Sequence, residues 1–148
     1  MRIGKPHSTL IFYQPEYDGG QKIPFVNIGV SAGFASPAQD FLEVEIDLNT
    51  ELSHNRTTTF YIRVAGNSMI NAGIDDGDLL VVDRSLEPAD GKIAICLIDG
   101  DFTVKRLKRD TDCLYLIPEN PKYPEIKVTE DNQFVVWGIV TYVIKSLL

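Results

Sequence analysis

The chain has 148 residues, of which 44% are hydrophobic and 24% charged, and its formal net charge is −7. This length accommodates one domain with a hydrophobic core, and the balanced composition excludes a wholly disordered chain. The negative charge argues against a protein that holds nucleic acid by neutralising phosphates, because that binding needs a basic surface. We therefore expect no direct, sequence-specific DNA binding.

Signals for export, membrane insertion and metal binding are weak. The N-terminal residues lack the apolar core of a signal peptide, and the longest apolar stretch, 134–144, is too short to span a bilayer. We expect a cytoplasmic protein with no membrane contact. Cys96 and Cys113 lie in apolar segments, where cysteine is usually a small buried residue in a reducing compartment. Because His7 and His54 are the only histidines, we expect neither a metal nor a cofactor site.

The first 35 residues differ in pattern from the rest of the chain. Proline or glycine recurs through them at short intervals, which excludes a long helix and predicts an extended N-terminal arm. Three basic against two acidic residues give residues 1–32 a net charge of +1, which leaves −8 for residues 33–148. We expect the arm to lie on an acidic body without joining its core. Whether the aromatic segment from Leu10 to Tyr17 docks or pairs as a strand stays open.

Short strands are predicted along most of the body. Residues 41–47 alternate apolar and acidic side chains, and Asp47 is placed to cap a short helix through Leu52. From Thr59 onward, short β-branched or aromatic runs alternate with turn residues, and Asp99-Gly100 predicts a hairpin. The runs are TFYIRVA, LLVVD, KIAICLI, FTVKRL, CLYLI, EIKV and FVVWGIVTYVI. The sequence therefore predicts a mostly β, curled and largely antiparallel fold with one short helix.

Ser68 follows Gly66-Asn67 at the end of the first of these runs, where a side chain can be displayed beside exposed backbone N–H groups. An ordinary turn serine is the simplest interpretation. A serine nucleophile needs a base, and His54 lies in a polar loop with nothing to orient it. The α/β-hydrolase pattern Gly-x-Ser-x-Gly is absent, because position 70 is isoleucine. Another side chain must therefore act as the base.

Lys105 is the alternative base, because it falls inside a predicted strand between Val104 and Leu107. Strand alternation places Thr103, Lys105 and Leu107 on one face, so Lys105 can point inward. Burial in apolar surroundings lowers the pKa of a lysine amine and makes the neutral form available near neutral pH. A neutral Lys105 could take the proton of Ser68, as in Ser-Lys nucleophilic catalysis.

The context of these two residues is more specific than the pair itself. Gly-x-Ser-Met, then GIDDGDLLVVD, then DGDFTVKRL, with 37 positions from Ser68 to Lys105, resembles the catalytic domain of LexA-type self-cleaving serine peptidases. The resemblance covers the chain from about residue 26 onward and implies a LexA/signal-peptidase-like β-fold. It also implies Ser68 as nucleophile and Lys105 as general base. Since no side-chain donor lies beside the serine, the backbone N–H groups of Ser68 and Met69 are the expected oxyanion hole.

Among LexA-type proteins the chain is most similar to the UmuD type, whose members have a short arm instead of a DNA-binding domain. The shared features are a small residue before Gly33-Phe34, then Ser36-Pro37-Ala38, then Ile46 to Asn49. The resemblance implies cleavage between Ala32 and Gly33, which divides the chain into an arm, 1–32, and a peptidase body, 33–148. It further implies a bacterial homodimer, stimulation by a RecA filament on single-stranded DNA, and a Y-family DNA polymerase as partner.

Two other interpretations stay open at this point. In the first, the chain is a non-catalytic β-structured module that binds a polymerase and does not use its Ser68–Lys105 pair. In the second, the chain is a phage-type LexA-like peptidase body that keeps the chemistry but serves a different partner. Loss of self-processing in Ser68→Ala would separate the enzyme from the non-catalytic module.

Overall fold

A computed structural model describes residues 10–15, 23–26, 32–33 and 43–148 of the chain. Across these residues the secondary structure is mostly β, with one short α-helix and one 3-10 turn at Ile70–Ala72. The elements are β1 Ile11–Tyr13, β2 Ile23–Val26, β3 Glu43–Ile46, α1 Leu48–Leu52, β4 Thr59–Arg63, β5 Leu79–Asp83, β6 Ile93–Ile98, β7 Asp101–Arg109, β8 Leu114–Ile117, β9 Ile126–Val128 and β10 Phe134–Ile144.

Eight of the strands form one antiparallel sheet in the order β1-β4-β5-β10-β6-β7-β8-β9, and β2 pairs with β3 in a separate two-stranded sheet. Strand β10 bridges the two halves of the large sheet, because it pairs with β5 on one edge and β6 on the other. Its register shifts between Val136 and Gly138 and again between Val140 and Tyr142, and such bulges bend a strand and increase its twist. The predicted curled, mostly antiparallel β-fold with one short helix is confirmed.

Local signals in the sequence explain several of these elements. Asp47 caps α1, since its carboxylate accepts hydrogen bonds from the N–H groups of Asn49 and Thr50. The β6–β7 hairpin turns at Asp99 and Gly100, whose φ angles of 49° and 87° are the positive values that a tight hairpin turn requires. Both predictions are confirmed. The predicted turn at Ser36-Pro37 lies outside the described residues.

The core lies in two clusters, one on each side of the central strands. The cluster that supports the site is formed by buried side chains from β1, β4, β5, β6, β7 and the loop after β4, namely Leu10, Phe12, Ile62, Val64, Met69, Ile74, Leu80, Val82, Ile95 and Val104. Leu10 and Phe12 belong to the predicted arm, and they are only 2% and 5% exposed. The expectation that the arm stays outside the core is therefore wrong for these two residues. Phe12 lies on β1 and Leu10 immediately precedes that strand, and this spacing of two positions is consistent with both side chains being buried on one face.

Candidate active site

Ser68 lies in the loop between β4 and the 3-10 turn. Gly66 has a φ angle of 99°, a left-handed conformation that favours glycine, and it turns the chain away from β4. The next residue in the chain after Ser68 is Met69, whose side chain is 2% exposed within the core, whereas Ser68 itself is half-buried. Anchoring by the methionine thus fixes the loop while the serine hydroxyl stays at the surface of the core.

Lys105 reaches Ser68 from β7. The Nζ–Oγ distance is 3.0 Å, and Nζ also lies 2.7 Å from Thr103 Oγ1 and 3.0 Å from the carbonyl oxygen of Val104. All three partners are uncharged oxygen groups. A neutral amine has two N–H donors and one lone pair, so it can donate to the Val104 carbonyl and Thr103 while it accepts the hydrogen of Ser68. The structure therefore brings together the two residues that the sequence predicted as nucleophile and base.

Burial controls the electrostatics of this amine. Lys105 is 6% exposed, and removal from water lowers its pKa from the ordinary value of 10.5. The thiolate form of Cys96 would act in the opposite direction. However, burial raises the pKa of the Cys96 thiol to about 12, so the thiol is neutral at physiological pH. No ion pair to Lys105 is found among the described residues. The surroundings of the amine thus favour its uncharged form.

A small cavity of about 40 Å³ lies beside the serine. It is bounded by the end of β4 and its loop, by β7 and by Leu10 of the arm; the lining residues are Leu10, Val64, Ala65, Gly66, Ser68, Met69, Thr103 and Val104. Two larger clefts of about 330 and 370 Å³ include neither Ser68 nor Lys105 among their lining residues. His54 lines the first of these clefts, which agrees with its exclusion as a base for Ser68.

A hydrogen bond from a distant segment orients the peptide unit before Ser68. The carbonyl oxygen of Asn67 accepts a hydrogen bond of 2.9 Å from Asn120 Nδ2, and the Asn120 side chain is buried. The Asn67 carbonyl and the Ser68 N–H belong to one planar trans peptide, in which they point in opposite directions. Fixing the carbonyl therefore also fixes the direction of the N–H.

The segment that carries Asn120 is itself tied to the strand of the lysine. The Glu119 carboxylate forms an ion pair with Arg106, the residue that follows Lys105, and the Glu119 carbonyl accepts a hydrogen bond of 2.8 Å from the Asn71 N–H. These contacts link β7, through Glu119, to the turn that follows the serine loop. They help to hold the strand of Lys105 and the segment of Ser68 together.

The acidic turn from Asp75 to Asp78 stabilises the same loop through hydrogen bonds. Asp76 Oδ1 accepts a hydrogen bond of 2.7 Å from the N–H of Gly66, and Asp78 Oδ2 accepts one of 2.8 Å from the N–H of Asp75. Lys145 forms ion pairs with both Asp75 and Asp78, which ties the turn to the end of the chain. The carboxylates thus stabilise the turn and the start of the serine loop, as expected for turn-forming residues.

The remaining predicted site residues are placed as follows. Within the part of the chain that the structure describes, the N–H groups of Ser68 and Met69 have no hydrogen-bond acceptor, so both are available to a bound oxygen. Ala32 and Gly33 are exposed and form a bend, and neither lines the cavity beside Ser68. The roles of these four residues in an oxyanion hole and in a scissile bond stay predictions.

Three supporting residues were missed by the reasoning from sequence. Thr103 had a usable signal, because strand alternation places it on the face of Lys105. Asn120 and Asp76 had none, because each acts on the serine loop through a backbone group that is distant in the sequence. Across the described ranges, no group of three or more His, Cys, Asp or Glu side chains could hold a metal ion, and no helix is long and apolar enough to cross a membrane.

Comparison with known proteins defines the class. Residues 24–141 match the Peptidase S24-like family. Protein MucA of Salmonella typhimurium is 43% identical over 122 residues, which cover 81% of this chain and 82% of MucA. Protein ImpA of Escherichia coli is 40% identical over 131 residues, 88% of each chain. LexA repressor 2 of Pseudomonas syringae is 40% identical over 100 residues, 64% of this chain and 50% of the repressor.

The chain belongs to the S24 family of serine peptidases, which shares the LexA-like fold described above. Within that family it is a UmuD-type, LexA-like self-cleaving peptidase, as its similarity to MucA, ImpA and SamA indicates. The family resemblance predicted from the Gly-x-Ser-Met and hairpin motifs is confirmed.

Proposed function

We propose that this chain cuts its own Ala32–Gly33 bond, with Ser68 as the nucleophile and Lys105 as the general base. The observation that supports this proposal most strongly is the 3.0 Å contact between Lys105 Nζ and Ser68 Oγ. A solvated surface lysine would be an ammonium ion and a poor base, whereas Lys105 is buried among uncharged partners. A non-catalytic module has no need for a lysine kept out of water beside a serine.

The reaction follows from this geometry. Lys105 accepts the Ser68 proton as Oγ attacks the carbonyl carbon of Ala32, and the N–H groups of Ser68 and Met69 stabilise the oxygen that becomes negative. The lysine ammonium then gives its proton to the Gly33 nitrogen as the peptide bond breaks. Water, with Lys105 again as base, hydrolyses the ester between Ser68 and Ala32. The products are the arm, 1–32, with a new carboxylate, and the body, 33–148, with a new amino group.

The exposed position of Ala32 and Gly33 supports regulation of this step. For attack, the bond has to move into the cavity beside Ser68, and any partner that favours the docked position accelerates cleavage. We propose that a RecA nucleoprotein filament on single-stranded DNA has this effect, as part of a bacterial SOS response to DNA damage in the cytoplasm. The processed body would then act as a homodimeric subunit of a Y-family translesion polymerase.

Mass spectrometry of purified protein incubated with and without RecA filaments tests the cleavage. The expected products have the masses of residues 1–32 and 33–148, and RecA filaments increase their rate of formation. Ser68→Ala removes the nucleophile and should give no products. Ser146→Ala makes the same chemical change at an exposed residue near the C-terminus and should leave the products unchanged.

Two results would contradict the proposal. Products from Ser68→Ala would show that another group performs the cleavage. An intact wild-type chain under all conditions, including with RecA filaments, would favour the non-catalytic polymerase-binding module. Cleavage without any effect of RecA would keep the peptidase and favour the phage-type body with a different partner.

A further inference from the structure

Strand β1 is the part of the proposed arm that joins the large sheet of the body; β2, also within the arm, pairs with β3 of the body in the separate two-stranded sheet. The β1 backbone pairs antiparallel with β4 in the register Ile11–Arg63, Phe12–Ile62 and Tyr13–Tyr61. Phe12 and Leu10 are almost completely buried. The short segment therefore combines main-chain hydrogen bonding with two apolar anchors at alternate positions, the mode by which extended peptides add to a sheet edge.

The Phe12 ring fills an aromatic site on the body. Its centroid lies 4.7 Å from that of Phe102 and 4.8 Å from that of Trp137, with edge-on or tilted geometry. Phe60 also packs against Trp137, at 5.1 Å. Aromatic pairs of this geometry stabilise a contact beyond the burial of their surface. Departure of Phe12 would expose Trp137 and Phe102 to water.

The proposed cut breaks the chain far from these contacts. Ala32 follows Tyr13 by 19 positions, and hydrolysis of the Ala32–Gly33 bond removes no hydrogen bond or ring contact of β1. The opposite net charges of the two products, +1 for residues 1–32 and −8 for residues 33–148, also favour continued association. Cleavage therefore breaks the covalent link between arm and body but leaves the contacts of β1 with the body unchanged.

We infer that the body holds residues 10–13 as a non-covalent strand after cleavage, so that processing cuts the arm without releasing it. This inference rests on the proposed function, because it concerns the product of self-cleavage. The edge of β4, together with the aromatic site for Phe12, is a binding site for an extended segment with apolar residues at alternate positions, and β1 is its occupant. Because Leu10 lines the cavity beside Ser68, the retained strand also keeps one wall of the site in place.

A chain that cannot cut itself gives the cleanest test. In Ser68→Ala, the recognition sequence of a site-specific protease is inserted between Gly19 and Gly20, so that β1 is the only described strand on the piece cut off. After digestion, native mass spectrometry and size exclusion report whether the two pieces stay together. Fluorescence of Trp137, the one tryptophan in the sequence, reports whether Phe12 still covers it.

Retention of the piece with unchanged tryptophan emission is the expected result. Phe12→Ala in the same severed chain should weaken retention on the order of 100-fold, because a large buried side chain is lost. Gln14→Ala, at an exposed position on the same segment, should retain the piece. Separation of the unsubstituted piece from a body that circular dichroism shows to be folded would overturn the inference.

The result does not depend on the chemistry of Ser68, since the nucleophile is absent and an added protease makes the cut. Loss of the strand would therefore leave the proposed self-cleavage untouched. Conversely, failure of self-cleavage in the wild-type chain would leave the pairing of β1 with the edge of β4 intact. If Phe12→Ala does not fold before digestion, retention or release in the unsubstituted chain still decides the inference.

Discussion

The loop that carries Ser68 and the strand that carries Lys105 meet at 3.0 Å, but different interactions hold them in place. Lys105 lies within regular structure, in the middle of a strand paired on both edges. Ser68 lies in irregular structure, which side chains from distant segments fix at Gly66 and Asn67. The base is thus positioned by the sheet as a whole, and the nucleophile by a few replaceable hydrogen bonds. Substitutions should affect the two sides in different ways.

Removal of the base should have the largest effect. We expect Lys105→Ala to slow self-cleavage on the order of 10⁴-fold or more, since the serine hydroxyl then has no proton acceptor. Lys108→Ala, an exposed lysine on the same strand, should cleave at the wild-type rate. The measurement is the first-order rate of product formation by mass spectrometry. Equal rates for Lys105→Ala and the wild-type chain would refute the base assignment.

Loss of the Asn120 contact should have the next largest effect. In Asn120→Ala the Asn67 carbonyl loses its side-chain donor and keeps only the longer, 3.4 Å hydrogen bond from the Ile70 N–H, so the Ser68 N–H is held less firmly in one direction. We expect cleavage to slow by about 100-fold, as for a misplaced oxyanion donor. The apparent pKa of the rate should not change, because Lys105 keeps its partners. Asn132→Ala, the same change in a turn between β9 and β10, provides the control.

If Asn120→Ala instead moved the pH dependence of the rate, the side chain would act on the amine and not on the peptide unit. That outcome would contradict the conclusion that β7 positions the base whereas side-chain hydrogen bonds position the nucleophile.

Thr103→Val should have a smaller and different effect. The valine has a similar shape but no oxygen for Nζ, so the ammonium form loses one acceptor and the pKa of Lys105 should fall further. The maximal rate should drop by about tenfold, because the amine is less well oriented. A pH profile of the cleavage rate measures both effects. A profile displaced to higher pH would contradict this account of the Thr103 contact.

Lys105→Met should change stability in a pH-dependent way. Burial lowers the folded-state pKa of Lys105 below 10.5. At a pH below 10.5, folding must therefore either bury the ammonium ion or release its proton, and both cost free energy. This penalty is largest at low pH and disappears as pH rises through the interval from the folded pKa to 10.5. The variant should therefore gain stability over the wild-type chain at neutral pH, and the gain should shrink toward alkaline pH.

Urea denaturation at several pH values measures this difference, with Lys108→Met as the exposed control. Both chains of each comparison carry Ser68→Ala, so that they stay intact. A gain that stays constant from about pH 7 to about pH 10 would show that the Lys105 pKa is not lowered.

The two sides of the site also differ in how far the sequence predicted them. The pattern of FTVKRL placed Lys105 on an inward face, because strand alternation is a local property. The loop of Ser68 was located by its glycine and by the family motif, but its supports were not, since Asn120 and Asn67 are 53 positions apart. Such contacts depend on how strands come together in three dimensions, which a single sequence does not encode locally.

The N-terminal arm shows the same limit of prediction from a single sequence. Its prolines and glycines predicted extended structure correctly for residues 11–13 and 23–26. They gave no sign that Leu10 and Phe12 would enter the core, because the aromatic site that receives Phe12 is formed by Phe102 and Trp137 from other strands. A short alternating segment is ambiguous until its partner surface is known.

An NMR titration of the Lys105 side chain tests the central claim most directly. Lysine labelled with ¹³C at Cε, in the Ser68→Ala chain that stays intact, reports the protonation of each amine, and comparison with Lys105→Met assigns the signal. We predict that the Lys105 amine titrates below its ordinary pKa of 10.5. A Lys105 amine that titrates at or above 10.5 would contradict the claim that burial lowers the pKa of this base and favours its uncharged form.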